Sequence, residues 1–198
     1  MMDCGNVIGI LLAAGIASRF GSNKLEAMLG NDMLGLHAAR TLAEIGCNDL
    51  FAVHDPANAK LASGLQSNGF TLLDNDIPHA GLSHSLALAA LAATAATEAD
   101  AMLVCLADMP SVTTRHLLAL IDAHRQHPDC IIASATATRR SPPALFPRAA
   151  WPMLATLTGD VGARQFLYYA IAVQTPAAEL IDIDSRDDLT RLVQTLSL

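Results

Sequence analysis

The stretch NVIGILLAAGIASRFGSNK, residues 6–24, decides how this chain folds. Its first half, residues 6–13, is a nearly continuous apolar run, as expected for a strand buried on both faces of a sheet. Its second half is a loop of small residues that carries Arg19 and Lys24. Lysine is scarce in this chain, with Lys60 as the only other one. A lysine and an arginine in such a loop therefore indicate a site for an anion.

The composition excludes several classes of protein. With 198 residues, of which 52% are hydrophobic, the chain is expected to form one domain over residues 1–198 with a single large core. A net charge of -7 argues against nucleic-acid binding, which needs a basic surface. No apolar run reaches the roughly 18 residues that cross a bilayer, and no basic leader region precedes the longest run, so we predict a cytoplasmic protein without a membrane partner. The cysteines and histidines lack the spacing of a zinc site.

Apolar runs alternate with helical patterns along the chain. The predicted strands cover residues 6–13, 50–55, 70–75, 101–108, 130–135, 143–148 and 179–184. The predicted helices cover residues 33–46, 57–66, 83–97, 113–127, 149–157 and 161–170, and a last helix begins at Ser185. Thr113 or Thr114 is the expected N-cap of the fourth helix. Strands that alternate with helices predict an α/β fold, with a mostly parallel sheet between two layers of helices.

The loop over residues 13–24 follows the first strand, and ligands of parallel sheets bind where loops leave the carboxyl ends of strands. It matches neither common phosphate-binding template, because Lys24 comes three residues after Gly21, and because no GxGxxG pattern is present. Its backbone N–H groups, the planar guanidinium of Arg19 and the point charge of Lys24 can nevertheless wrap a di- or triphosphate. The alternative is a tight turn with two solvated cations.

Two groups of acidic residues follow predicted strands. Asp108 ends an apolar strand, where a charge is costly unless it is compensated; the alternative is a loop aspartate bonded to nearby N–H groups. Asp182 and Asp184 would share one face at the end of the last predicted strand. Ser185 and Asp188 have the spacing of a helix cap. Two carboxylates beside a phosphate loop are what a magnesium–nucleotide complex needs.

Five motifs occur in a characteristic order: LAAGIASRFGSNK, GLSHSL, LADMP, GDVGAR and DIDSRDDL. In this order they resemble the nucleotidyltransferases of molybdenum cofactor maturation, particularly the molybdenum cofactor cytidylyltransferase group, over nearly the whole chain. The resemblance implies a single Rossmann-like three-layer domain of the nucleotide-diphospho-sugar transferase type. It also implies Mg²⁺ as cofactor, CTP and a molybdopterin-type acceptor as substrates, and transfer of CMP with release of pyrophosphate. A client molybdoenzyme would be the macromolecular partner.

The resemblance also implies roles for individual residues. The implied nucleotide site consists of Leu12, Ala13, Ala14, Gly15, Arg19, Lys24 and Ser85. The implied catalytic residues are Arg19, Lys24 and Asp108, and the implied metal ligands are Asp108 and Asp184. Gly162 and Arg164 are implied on the acceptor side, and the alternative for this segment is a helix N-terminus capped by Asp160. For Ser85, ordinary helix capping is the alternative.

Two positions bear on specificity. The cytidylyl branch has Ala-Ala-Gly where this chain has residues 13–15, whereas the guanylyl branch has Ala-Gly-Gly; the Cβ of Ala14 would narrow the pocket and favour a pyrimidine. Relatives usually carry a glycine, followed one residue later by proline, where this chain has Ser141-Pro142-Pro143. Because proline restricts the backbone that glycine leaves free, the acceptor pocket is expected to differ. Arg139 and Arg140 either bind an anionic acceptor or are solvated.

Two other functions fit the same motifs. A guanylyl- or sugar-phosphate nucleotidyltransferase would keep the fold and change the base or the acceptor. A non-catalytic carrier or insertion chaperone would bind finished molybdenum cofactor, but it would need neither Asp108 nor Asp184.

Overall fold

The structure, a computed structural model, describes Cys4, residues 6–15, Phe20, residues 23–159 and residues 164–196. The strands within these residues are β1 (Val7–Ala13), β2 (Met28–Leu29), β3 (Asp32–Met33), β4 (Leu50–His54), β5 (Thr71–Asp74), β6 (Ala101–Leu106), β7 (Ile132–Ala135), β8 (Arg140–Pro147) and β9 (Ile171–Gln174). The α-helices are α1 (Leu34–Glu44), α2 (Ala59–Ser67), α3 (Leu82–Ala96), α4 (Thr114–Gln126), α5 (Trp151–Leu154), α6 (Arg164–Leu167) and α7 (Arg186–Leu196).

Seven of these strands form one sheet in the order β5-β4-β1-β6-β8-β7-β9. β1 pairs in parallel with β4 on one side and with β6 on the other, and β4 with β5 and β7 with β9 are also parallel pairs. Only β8 runs against its neighbours β6 and β7 in this sheet. The predicted mostly parallel sheet is therefore confirmed. The carboxyl ends of the six parallel strands share one edge, and functional loops are expected there.

Helices cover both faces of the sheet, and the apolar sequence of β1 explains why both faces need cover. All seven residues of β1 are buried. Leu11 and its odd-numbered neighbours pack in a core with α1, α2 and α4, whereas Leu12 and its even-numbered neighbours pack in a second core with α3, α5 and α6. Side chains of a strand alternate between faces, so a continuous apolar strand needs a helical layer on each side.

Helix α3 brings its first turn to the carboxyl edge of the sheet. Ala89, Ala90 and Ala93 are fully buried, and these small side chains let the helix lie close to β1 and β4. Gly81 caps the helix with a φ of 84°, a conformation that glycine adopts without strain. The helix therefore presents Ser85 to the same edge at which β1 and β6 end.

The predicted strand over residues 179–184 is wrong. The chain forms a 3-10 helix there, Ala177–Leu180, and continues irregularly to the start of α7. The alternation of apolar and acidic residues suggested one shared face, but Ile181 is 41% exposed whereas Ile183 is fully buried. The strand at the edge of the sheet is β9, in a stretch for which no strand was predicted. Asp182 and Asp184 thus lie in a loop.

The bounds of the other strands and helices differ less from the predicted ones. β8 is an antiparallel strand of eight residues rather than the short strand expected over residues 143–148. The helices expected over residues 149–157 and 161–170 are confined to α5 and α6, and residues 160–163 lie outside the described part. The hairpin of β2 and β3 was not predicted. Among the described helices, none combines the length and the apolar character needed to cross a membrane.

Candidate functional site

Lys24 begins a short 3-10 helix, Lys24–Glu26. Asn23 caps this turn, because its side-chain oxygen accepts a hydrogen bond of 3.2 Å from the backbone N–H of Leu25. Leu25 is buried against α1, where a Cβ added at Gly35 would lie only 3.1 Å from the Cβ of Leu25. The turn is therefore fixed on both sides of the lysine. Lys24 itself is only 6% exposed, which is unusual for this residue type.

Asp108 lies just beyond β6, whose first five residues are buried. The backbone is bound on both sides of it: the N–H of Ala107 donates to the carbonyl of Leu12 at 3.1 Å, and the N–H of Met109 donates to the carbonyl of Leu106 at 3.3 Å. Ala107 and Met109 are also buried. These contacts hold the carboxylate of Asp108 at the carboxyl edge of the sheet.

Asp184 is positioned by the cap of α7. The hydroxyl and the backbone N–H of Ser185 donate to Oδ2 of Asp188 at 2.6 and 2.8 Å, and the N–H of Asp188 donates back to the hydroxyl at 3.2 Å. The predicted cap is thus confirmed, and the hydrogen bonds from Ser185 lower the pKa of Asp188. The N–H of Asp184 also donates to Oδ2 of Asp188, at 3.3 Å. The N–H of the buried Ile183 donates to the carbonyl of Asp108 at 2.9 Å, which ties the two acidic segments together.

Lys24, Asp108 and Asp184 meet in one cluster, which we call the ion cluster. The Nζ of Lys24 lies 2.8 Å from Oδ2 of Asp108 and 3.1 Å from Oδ1 of Asp184. The side chains of Lys24 and Asp108 are 7% and 22% exposed, whereas that of Asp184 is 57% exposed. The cluster is therefore open to solvent on the Asp184 side. The second oxygen of Asp108, Oδ1, is buried and has no hydrogen-bond partner among the described residues.

Burial and unequal charge set the electrostatics of the ion cluster. Burial alone would lower the pKa of Lys24, but the charges and hydrogen bonds of Asp108 and Asp184 together raise it. Burial raises the pKa of Asp108; Lys24 opposes this rise, and the charges of Asp182 and Asp184 add to it. The cluster thus contains more negative charge than its lysine balances.

A cavity of about 400 Å³ opens beside the ion cluster, and we call it the first cavity. Five of the residues predicted for the nucleotide site line it, namely Leu12, Ala14, Gly15, Lys24 and Ser85, together with Asp108. Ala13 is placed differently, because its side chain packs in the core on the α1 side of the sheet. Arg19 lies outside the described residues.

Sequence reasoning missed Asn75, which follows β5 and is fully buried. Its Nδ2 donates to the hydroxyl of Ser85 at 3.1 Å, and its Oδ1 accepts from the N–H of Ile77 at 3.0 Å. Pro78 and His79, also missed, add to the wall of the first cavity. The available signal was weak: an asparagine at the end of a short strand is equally typical of an ordinary turn.

A second cavity, of about 480 Å³, adjoins the first. Leu12, Leu82 and Leu106 line both cavities, so they form a shared apolar boundary. The floor of the second cavity is apolar and includes Phe146. The charged residues that line it are Arg139, Arg140, Arg164 and Asp182.

The arginines of the second cavity differ in their partners. Arg139 donates through Nη2 to the carbonyl of Leu180 at 2.8 Å, and the same Nη2 lies 3.9 Å from Oδ1 of Asp182. Arg140 and Arg164 are exposed, and neither forms a side-chain hydrogen bond or ion pair with another described residue. An anion entering this cavity would therefore meet two guanidinium groups that have no partner among the described residues, and guanidinium is suited to phosphate and carboxylate. Gly162 lies outside the described residues.

The segment that replaces the expected glycine lies in the second cavity, where Ser141 and Pro142 line the wall. A hydrogen bond from the sheet holds this segment in place, because the buried hydroxyl of Ser134 donates to the carbonyl of Pro143 at 2.6 Å. The buried His116 lies 2.7 Å from the same hydroxyl, and its Nε2 must be the donor because the single hydroxyl proton of Ser134 is already used. Burial lowers the pKa of His116, which favours this neutral ring.

The mostly parallel sheet, with a lysine and two carboxylates beside a cavity at its carboxyl edge, is an arrangement suited to an α/β protein that binds a nucleotide. The model of the family described as "MobA-like NTP transferase domain" matches residues 9–175, so the chain belongs to this family. A relative along the whole length is the purine catabolism protein PucB of Bacillus subtilis (strain 168). It is 26% identical over 205 residues, covering 96% of this chain and 98% of PucB.

Solved structures share the fold. A homolog of Mycobacterium tuberculosis rv0371c from Mycobacterium sp. strain JC1 superimposes with a TM-score of 0.80 at 24% identity, covering 97% of each chain. Rv0371c from Mycobacterium tuberculosis H37Rv in complex with manganese gives a TM-score of 0.74 at 21% identity, covering 96% of this chain and 98% of that one. Molybdopterin-guanine dinucleotide biosynthesis protein A from Archaeoglobus fulgidus gives 0.71 at 19% identity, covering 96% and 98%.

Proposed function

We propose that this protein is a Mg²⁺-dependent nucleotidyltransferase that transfers CMP from CTP to molybdenum cofactor and releases pyrophosphate. The observation that carries the proposal is the position of the ion cluster, in which Lys24 and Asp108 form part of the wall of the first cavity. The second cavity lies directly beside it and shares three leucines with it. Two adjoining cavities with cations and carboxylates at one edge suit a reaction between two phosphorylated substrates.

The donor set of the ion cluster fits a divalent cation. Asp108 and Asp184 offer carboxylate oxygens, and the buried Oδ1 of Asp108 has no partner among the described residues. Mg²⁺ prefers oxygen ligands and commonly combines one or two carboxylates with phosphate oxygens and waters. The described residues contain no group of three or more His, Cys, Asp or Glu that could hold a metal, so phosphate oxygens and waters would have to complete the coordination. When bound, Mg²⁺ would offset charge on the triphosphate and on the departing pyrophosphate.

The reaction needs no nucleophile from the protein. A terminal phosphate oxygen of the acceptor forms a bond to the α-phosphorus of CTP, and the bond from that phosphorus to the bridging oxygen of pyrophosphate breaks. Lys24 and Arg19 would hold the phosphates and offset the charge that develops on the leaving group. Positioning of two reactants can supply about 7–11 kcal/mol of the barrier reduction.

The base would lie near Ala14, which is 3% exposed and lines the first cavity with Leu12. A Cβ at this position narrows the space for a base, so we expect cytosine to be preferred over guanine. Ala14→Gly should then raise the affinity for GTP relative to CTP. An unchanged ratio of the two affinities would count against a role for Ala14 in base choice.

The acceptor would occupy the second cavity. Its phosphate would meet Arg164, with Arg140 as a further contact; Gly162, outside the described residues, is proposed for the same acceptor. Because Ser141 and Pro142 form part of this wall, the contacts with the acceptor should differ from those of relatives that have glycine there.

Calorimetric titration with CTP, GTP and ATP, with and without Mg²⁺, tests the proposal. Wild type should bind CTP tightly only with Mg²⁺, and Asp108→Asn should abolish this Mg²⁺ dependence. Asp187→Asn is the matched control, because Asp187 is an exposed acid at the start of α7. Preference for GTP would replace the cytidylyl assignment by a guanylyl one. Absence of binding to every triphosphate would overturn the enzyme proposal in favour of a carrier of finished cofactor.

A further inference from the structure

We infer that Lys24 occupies the position of the metal ion in the unliganded protein, so that a divalent cation binds well only together with a polyphosphate that draws Lys24 away. This inference rests on the proposed nucleotide site, and it adds a second role to Lys24: the residue sets the order in which metal and nucleotide enter.

The geometry of the ion cluster carries the first step. The ammonium of Lys24 lies within hydrogen-bond distance of Oδ2 of Asp108 and Oδ1 of Asp184, at 2.8 and 3.1 Å. These are the two carboxylates proposed to bind the metal. A cation attached to the protein thus already joins both ligands, and a metal ion must displace it.

The anchoring of Lys24 makes that displacement costly. The lysine begins a turn that is capped by Asn23 and held by the buried Leu25, and its side chain is only 7% exposed. If the ammonium of Lys24 moved away from both carboxylates and met no new counterion, it would be a poorly solvated charge. Poorly solvated charges without a partner are unfavourable in proteins, so a bare metal ion competes at a disadvantage.

Charge balance explains why the lysine does not satisfy the site completely. One ammonium faces Asp108 and Asp184, and the charge of Asp182 acts on Asp108 as well. The buried Oδ1 of Asp108 has no partner among the described residues. A divalent cation would match the two carboxylates better than a single ammonium does, so the cluster favours exchange once Lys24 has another anion to bind.

A polyphosphate supplies what both cations need. Lys24 lines the first cavity together with Ala14 and Gly15, so phosphate oxygens in that cavity can accept its hydrogen bonds. The same phosphate provides oxygen ligands for the metal, of which the described protein residues contribute too few. The two cations then exchange partners: the lysine moves from carboxylate to phosphate, and the carboxylates become free for the metal.

Titration with Mn²⁺ alone tests the inference, because carboxylate sites that suit Mg²⁺ also suit Mn²⁺ and its free ion is detected by electron paramagnetic resonance. Wild type is compared with Lys24→Met and with Lys60→Met. Lys60 is the only other lysine and lies exposed on α2. We expect Lys24→Met to bind Mn²⁺ about tenfold more tightly than wild type, and Lys60→Met to match wild type. Equal Mn²⁺ affinity of Lys24→Met and wild type would overturn the inference.

A measurement on wild type alone covers the case in which Lys24→Met does not fold. Without nucleotide, Mn²⁺ should bind wild type at least about tenfold more weakly than it does in the presence of inorganic triphosphate, after correction for Mn²⁺ bound by free triphosphate. Equally tight binding with and without triphosphate would refute the exchange. Failure of the proposed function has a different signature, namely no binding of CTP, GTP or ATP, whereas the Mn²⁺ comparison between variants does not depend on which nucleotide the protein uses.

Discussion

Replacement of Lys24 by methionine should destabilise the fold, and removal of the Asp108 charge should restore most of the loss. Methionine keeps the length of the side chain and removes its charge. The carboxylate of Asp108, 22% exposed, then loses its nearest counterion, while its Oδ1 already lacks a partner among the described residues. Asp108→Asn removes the uncompensated charge and keeps the shape.

The magnitude follows from the distance of 2.8 Å between the Nζ of Lys24 and Oδ2 of Asp108. Two unit charges at that distance attract by about 1.5 kcal/mol in water and by about 6 kcal/mol at an effective dielectric constant of about 20. Breaking a buried pair typically costs about 3–5 kcal/mol, and the partial exposure of Asp108 places the expected loss at the lower end, about 3 kcal/mol. Contacting residues commonly couple by about 0.5–3 kcal/mol, so the double variant should recover about 2 kcal/mol.

Asp108→Asn alone should cost less stability than Lys24→Met does, because Lys24 keeps Asp184 as a counterion at 3.1 Å. Burial raises the pKa of Asp108, which means that the folded protein favours the neutral form of this side chain. For a raised pKa, the stabilising contribution is present below the unfolded pKa of about 3.9 and is lost as the pH rises through the folded pKa. At neutral pH, the permanently neutral amide therefore avoids a cost that the carboxylate carries.

Urea unfolding followed by the fluorescence of Trp151 measures all four free energies of the cycle. Trp151 is the only tryptophan, is 1% exposed and donates to the carbonyl of Phe146 at 3.2 Å, so its emission will change on unfolding. Lys60→Met is the control for loss of a lysine. The reasoning is refuted if Lys24→Met unfolds within about 0.5 kcal/mol of wild type, or if the double variant is no more stable than Lys24→Met.

Three further predictions concern the surroundings of the site. Ser185→Ala removes the hydroxyl that caps α7 and should lower the free energy of unfolding by about 1 kcal/mol in urea titrations; an unchanged midpoint would contradict the role of the cap. Because burial lowers the pKa of His116, the unfolded chain binds more protons, and stability should fall as the pH drops below about 6.5. Thermal melts of His116→Gln between neutral and mildly acidic pH should show a shallower fall, and an equal slope would exclude the contribution. Arg164→Ala should raise the KM for the acceptor and leave the KM for CTP unchanged when both are measured by steady-state kinetics.

Local signals in the sequence were sufficient for most of the scaffold. A continuous apolar run predicted β1, and the spacing of Ser185 and Asp188 predicted the cap of α7, because each depends on residues close together in the chain. Thr113 or Thr114 was predicted as a cap for the same reason, and the structure identifies Thr113, whose hydroxyl accepts from the N–H of His116 at 3.2 Å. The strand over residues 179–184 failed: a strand would place Ile181 and Ile183 on one face, but Ile181 is 41% exposed and Ile183 is fully buried, a tertiary outcome that alternation does not encode.

The candidate site was predictable in its residue types and not in its contacts. Asp108 stood out as a charge at the end of an apolar run, and Lys24 as a scarce lysine in a loop of small residues. Their contact joins residues 84 positions apart, and that with Asp184 joins residues 160 positions apart, so only the folded sheet brings them together. Asn75 was missed because its partner Ser85 belongs to a helix that is placed by packing on β1 and β4.

The ion cluster departs from the pattern of the two large cores. Those cores are built from apolar side chains, and all seven residues of β1 are buried among them. Lys24 is buried against two carboxylates that outnumber it, although apolar residues of similar volume would commonly be as stable or more so. Sequences keep such local conflicts where function requires them. The proposed exchange between lysine and metal gives both charges a purpose in one site.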